Sequence, residues 1–168
     1  GITVDVVDAN LTEVYVAEWN AHRIQVFDSN GAFRRKFGNS TLNSNPADVK
    51  IGPDGLVYVS SRGKTRIKVF QKDGTYLREF NPTYSPYAID FLGNLLVVAN
   101  GNNHRVQIFE TNGTLVTTTG SGTASSDAGQ FDNNYDVTVS PSGDLHVACR
   151  DNHRIQVFDA NGTYLRKF

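Results

Sequence analysis

The feature that most constrains this chain is that it repeats one pattern four times. NAHRIQVF at 20–27, GKTRIKVF at 63–70, NNHRVQIF at 102–109 and DNHRIQVF at 151–158 are versions of one segment. Each is followed by a turn and a short apolar run: DSNGAFRRKF, QKDGTYLREF, ETNGTLVTTT and DANGTYLRKF. Repetition at about 40 residues dictates architecture, because a unit of that size cannot bury its apolar faces alone and must stack on its neighbours.

Each repeat carries four short apolar runs separated by turn chemistry. In the second repeat these are Asp48–Ile51, Leu56–Val59, Arg66–Phe70 and Tyr76–Phe80. Asn30–Gly31, Asp73–Gly74, Asn112–Gly113 and Asn161–Gly162 fall at one repeat position, and tight hairpins demand such pairs because their turns need positive φ. No segment sustains a 3.6-residue apolar period, so little helix is expected. Ile155, Val157 and Phe158 leave neither side of their strand cleanly polar. A sheet with one wet face alternates, whereas a sheet covered on both faces does not. Four-stranded antiparallel sheets covered on both sides are the blades of a propeller. The expectation is an all-β propeller in one domain, 1–168, with blades at 1–38, 47–80, 87–120 and 135–168. The longest connection, GSGTASSDAGQF, reads as a loop between blades. The first repeat's hairpin is about four residues longer than the fourth's and is expected to project.

Composition narrows the function classes. The 168 residues are 39% hydrophobic with a net charge of −1, an ordinary globular balance. That charge argues against a strongly electrostatic binder of nucleic acid or membrane, though it leaves room for a local basic face. No apolar run approaches the roughly 20 residues of a membrane span, and no membrane partner is expected. Cys149 is the only cysteine, so no intrachain disulfide forms, and its apolar strand setting implies a buried, inert thiol. The chain opens at Gly1 and contains no Met, which reads as an excerpt or a processed product. The Asn-x-Ser/Thr tripeptides assign no compartment in a chain so rich in those residues.

These residues are where a family resemblance enters. The repeats resemble the NHL family, whose unit runs approximately G-I-A-V-D, turn, N-V-Y-V-A-D, N-H-R-I-Q-V-F, turn, L-R-K-F-G. The matching residues are Gly1–Asp5, Val14–Ala17, Asn152–Phe158 and Leu165–Phe168. The resemblance implies a parent ring of six blades, of which this chain supplies four. Fragment, four-bladed ring and self-completing piece are the three ways to account for the missing blades. The expectation taken here is an excised or engineered four-repeat piece that associates with itself through its exposed blade faces, since open apolar patches drive association.

His22, His104 and His153 tempt a metal assignment. They occupy one repeat position in three separate blades, and residues repeated around a ring need not converge on one ion. Together with Arg23, Arg66, Arg105 and Arg154, which recur at the start of the third strand, they are read as structural. A guanidinium there ties nearby backbone or acidic groups. No metal site, cofactor or catalytic residue is assigned, and the chain is expected not to be an enzyme.

Loop residues that vary between repeats are the better candidates for partners. Trp19, Arg62, Gly101 and Arg150 are equivalent, each four residues before the recurring arginine. In a propeller these loops share one face, which puts Trp19, Asn20, Arg62, Lys64, Asn102, Arg150 and Asp151 together. An aromatic with interspersed basic residues suits a protein or a single-stranded RNA, and the resemblance implies such partners on that face. The expected function is a non-catalytic binding scaffold. The alternative is a metal-dependent propeller enzyme of the amidating-lyase type, which the same family includes.

Overall fold

The computed structural model describes residues 1–8 and 11–168. Each repeat forms one four-stranded antiparallel sheet whose strands lie in chain order. Blade 1 consists of β1 (Ile2–Asp8), β2 (Leu11–Glu18), β3 (Arg23–Asp28) and β4 (Phe33–Phe37). Blade 2 consists of β5 (Pro46–Ile51), β6 (Val57–Ser61), β7 (Arg66–Phe70) and β8 (Tyr76–Phe80). Blade 3 consists of β9 (Ala88–Leu92), β10 (Leu95–Asn100), β11 (Arg105–Glu110) and β12 (Leu115–Thr119). Blade 4 consists of β13 (Asn134–Val139), β14 (Leu145–Cys149), β15 (Arg154–Phe158) and β16 (Tyr164–Lys167). Short 3-10 turns at Arg62–Lys64 and Gly101–Asn103 are the helical elements among the described residues. The expected projection of the first hairpin falls on its tip, 9–10, which lies outside the described residues.

The arrangement is that of a propeller, and its core lies between blades rather than within them. Tyr15, Ile24 and Val26 of blade 1 meet Val49, Val59 and Phe70 of blade 2. Tyr58, Ile67 and Val69 meet Ile89, Leu96 and Val98 of blade 3. Val97, Val106 and Ile108 meet Val137, Leu145 and Val147 of blade 4. This is why the strands read as apolar on both faces: in blades 2 and 3, each face belongs to a different interface. Among the described residues, blades 1 and 4 each keep one face without a neighbouring blade, and Ile2 and Val4 on blade 1 are 60% and 57% exposed.

Side chains at the outer rim lock neighbouring blades together. The ring of Phe37 at the end of β4 packs on Phe70 with centroids 5.3 Å apart, and Phe80 packs on Phe109 at 5.7 Å. Thr119 stands at this position in blade 3 and is too short to do the same. Phe131, from the long connection, supplies the ring instead and packs on Phe158 at 5.3 Å. The same outer residues cover the turn glycine of the following blade. A methyl on Gly74 would come within 2.6 Å of Phe37 Cβ, and one on Gly113 within 2.6 Å of Phe80 Cγ. Both glycines also hold positive φ, +96° and +98°, so backbone conformation and close approach demand glycine together.

The two demands separate experimentally. Gly55, at φ +75°, has open space where its Cβ would stand. Gly55→Ala is expected to cost about 1 kcal/mol, the left-handed strain alone. Gly113→Ala adds overlap with Phe80 and is expected to cost about 3 kcal/mol. Urea denaturation of the two variants checks the difference.

Candidate functional site

The second strand of each blade ends level with the start of the first, because the two are antiparallel neighbours. The residues after strand two and those entering strand one therefore meet at one end of every sheet. At that end the inner strands surround a funnel of about 500 Å3 whose wall includes Ile2, Trp19, Asp48, Tyr87, Tyr135 and Asp136.

Trp19, Arg62 and Arg150 come together here as parts of one stack. The Arg62 guanidinium carbon lies 5.3 Å from the Trp19 ring centroid and 4.1 Å from that of Tyr87. The Tyr87 and Tyr135 rings are 4.4 Å apart, and Arg150 sits 5.0 Å from the Tyr135 ring. The ladder Trp19–Arg62–Tyr87–Tyr135–Arg150 thus runs from blade 1 to blade 4. Each cation over a ring face is an attractive contact of roughly 0.5–2 kcal/mol, larger where water is excluded.

Polar groups fix the ladder's orientation. The Tyr87 hydroxyl donates to Asn102 Oδ1 at 2.7 Å, and Arg150 donates to the Tyr135 hydroxyl at 2.9 Å. Asp151 pairs with Arg150 at 3.2 Å and accepts from the Asn133 side-chain amide. Unlike Arg150, Arg62 pairs with no carboxylate among the described residues. Asn20 is exposed beside Trp19. Lys64 lies apart, in a second hollow with Arg66, Lys68 and Glu79.

Tyr87 and Tyr135 complete the ladder and were not among the residues singled out from sequence. A signal for them exists: they stand two residues before the buried strand-one residues Ile89 and Val137, at the repeat position where the second repeat carries Ala47 before Val49. A change from small to aromatic at one repeat position is the kind of departure that marked Trp19 and Arg62.

The repeated histidines and arginines stand at the turn into the third strand of each blade, and His22, His104, Arg105 and Arg154 reach from there to the connections between blades. His22, Thr65, His104 and His153 are equivalent, and all hold left-handed backbone, with φ between 48° and 55°. The Asn45 amide donates to His22 Nδ1 at 3.0 Å, and the Asn133 amide to His104 Nδ1 at 3.1 Å. Asp132 Oδ1 also approaches His104 Nδ1, at 3.5 Å, but a nitrogen accepting an amide proton has none to offer a carboxylate. Arg23 pairs with Glu18, and Arg66 with Glu79 at 3.2 Å. Arg105 donates to the Tyr84 hydroxyl, and Arg154 donates to the carbonyls of Ser126, Asp127 and Gln130. Among the described residues, no three of His, Cys, Asp or Glu stand together as a metal-holding group. Cys149 is buried, and burial pushes its thiol above the usual value.

Its similarity to known proteins places the chain among β-propellers. Residues 6–130 match the family described as lactonase, seven-bladed β-propeller, and residues 136–158 match the NHL repeat. The chain belongs to that lactonase-type propeller family, whose description gives seven blades where the repeat resemblance implied six. No curated protein matches it. Among solved structures, virginiamycin B lyase from Staphylococcus aureus is similar at 18% identity and a TM-score of 0.74, covering 100% of this chain and 54% of that one. A streptogramin B lyase is similar at 17% and 0.71, covering 93% and 50%. Hydrazine synthase from Kuenenia stuttgartiensis is similar at 16% and 0.72, covering 92% and 45%. The chain spans about half the length of these proteins, and at such identities the likeness carries the fold alone.

The ladder's two phenols differ in acidity. Burial pushes Tyr87 up to about 12, while hydrogen bonding with Tyr87, and then with Arg150, holds Tyr135 below the ordinary phenol value. Tyr135 is expected to ionise first. Because the folded value of Tyr87 is raised, its contribution to stability is complete below pH 10 and is lost as pH rises towards about 12. Spectrophotometric titration of Tyr135→Phe should lack the earliest phenolate step, and that of Tyr87→Phe should retain it.

Proposed function

We propose that this propeller is a non-catalytic binding module whose channel-mouth face takes a protein partner that presents an acidic side chain to Arg62. The single observation that carries this reading is the guanidinium itself. It is held between Trp19 and Tyr87, so its orientation is set in advance, and its hydrogen-bonding edge has no carboxylate partner among the described residues. A planar guanidinium matches a carboxylate in a two-bond fork. Pre-setting its position removes part of the ordering cost of binding. Trp, Tyr and Arg are also the residues that dominate protein interfaces.

A single-stranded RNA is the second reading, favoured by the stacked aromatic and guanidinium groups. Two features weigh against it. The rings of Tyr87 and Tyr135 already pack against each other at a tilt of 52°, and the chain's net charge is −1, which offers a polyanion little long-range attraction.

Trp19 is the only tryptophan and therefore reports on this face. Titration with a hexaglutamate peptide is expected to change its emission, and the affinity should fall with added salt. Arg62→Ala is expected to weaken binding about tenfold or more, and Arg62→Ala with Arg150→Ala further still. Unchanged affinity in the double variant overturns the reading. Tighter binding of an oligouridylate of equal charge transfers the face to RNA.

A further inference from the structure

The two blade faces without neighbours match each other in the way that the internal faces do. Ile2, Val4 and Val16 on blade 1 hold the positions that Val49, Ile51 and Val59 hold in blade 2, as the strand registers show. In blade 2 that face receives blade 1. On blade 4, Ala148 and Ile155 hold the positions of Ala17 and Ile24, the face with which blade 1 covers blade 2.

Three finer features repeat this match. The first is the rim contact. Phe37 covers Gly74, Phe80 covers Gly113 and Thr119 covers Gly162, but Gly31 has open space at its Cβ. Phe168, the blade 4 counterpart of Phe37, is 70% exposed. One knob and one socket are unused, and they belong to the same kind of contact.

The second is the outer arginine. Arg35 donates to the Lys72 carbonyl at 2.9 Å, and Arg78 to the Thr111 carbonyl at 3.2 Å, each reaching the turn of the next blade. Arg166 is the blade 4 counterpart and is exposed, while Ser29 holds the matching turn position in blade 1.

The third is the inner carboxylate. Asp48 accepts from its neighbour Val49 and, with its other oxygen, from Ile89 of the next blade at 3.1 Å. Asp136 accepts from Val137 at 2.9 Å. Its second oxygen has no partner among the described residues, and Ile2 is the counterpart of Ile89.

We infer that the free face of blade 4 docks head-to-tail onto the free face of blade 1 in a second copy of this chain. Phe168 then seats over Gly31, Arg166 reaches the Ser29 carbonyl, and Asp136 takes the Ile2 amide. A second copy is the occupant argued for because its blade 1 carries the socket, the carbonyl and the amide at the required repeat positions. The contact is heterologous, since two different surfaces meet, and every copy carries both. The internal junction between blades 1 and 2 is also filled by Leu42, buried against Val49 and Phe70. On the free face of blade 4, a hollow of about 350 Å3 beside Ala148, Ile155 and Phe168 stays open among the described residues. Association is therefore weaker than the internal packing and depends on concentration.

Sedimentation of the 168-residue chain from about 1 µM to about 100 µM tests this. Mass is expected to rise from 18.5 kDa to at least twice that value. Val4→Asp and Phe168→Asp change exposed positions, so each variant should keep its β-sheet circular dichroism. Each alone is expected to weaken association at least tenfold. Mixed in equal amounts they should recover it, because one supplies an intact blade 1 and the other an intact blade 4. A monomer at the highest concentration overturns the proposal. So does loss of association in Val4→Asp with none in Phe168→Asp, which would mean that blade 1 pairs with itself.

Discussion

Packing of one blade on the next is the interaction on which everything else in this molecule depends. A four-stranded sheet with apolar residues on both faces is unstable in water by itself. Here each apolar core lies between two sheets, with Tyr15 and Ile24 facing Val49, and Val97 and Ile108 facing Val147. The repeat is therefore an incomplete folding unit, and its neighbour is part of its own core. At the rim the contact is tight enough to admit only glycine beneath Phe37 and Phe80. Where blade 3 offers Thr119 in place of phenylalanine, Phe131 enters from the connection and restores the ring.

Polar cross-links then set how neighbouring blades sit along their contact. At the inner edge Asp48 accepts from Ile89, and Asp90 accepts from Val139 at 2.7 Å. At the outer edge Arg35 and Arg78 reach carbonyls in the following blade. Burial pushes the Asp48 carboxyl above its usual value, against the backbone hydrogen bonds that favour the ionised form. Because the inner strands are held this way, the ends of neighbouring sheets converge, and Trp19, Arg62, Tyr87, Tyr135 and Arg150 become one stack.

The fold was highly legible in the sequence. Four copies of a strand pattern with Asn-Gly or Asp-Gly at one position leave few architectures open, and all four sheets appear in chain order. The site was legible in part. Trp19, Arg62 and Arg150 stood out because they vary at a position where the rest of the repeat is steady. Tyr87 and Tyr135 vary in the same way but sit at the mouth of strand one, and the reading that favoured the loops after strand two passed over them. Phe131 was hidden for a different reason: its role is compensation for Thr119, and compensation shows only when both residues are placed in one core.

By itself, the sequence determined the blade. Strand number, turn chemistry and two-faced apolarity are local properties that recur with the repeat, because hairpin geometry and side-chain alternation act over a few residues. Only the tertiary structure decided which residues from different blades meet. Stacking of Arg62 between Trp19 and Tyr87 joins side chains 43 and 25 positions apart in the chain, and no local rule specifies such a contact. The unused socket at Gly31 and the exposed ring of Phe168 are likewise a relation between the first blade and the last. They acquire meaning only from the three internal junctions at which the same contact is made.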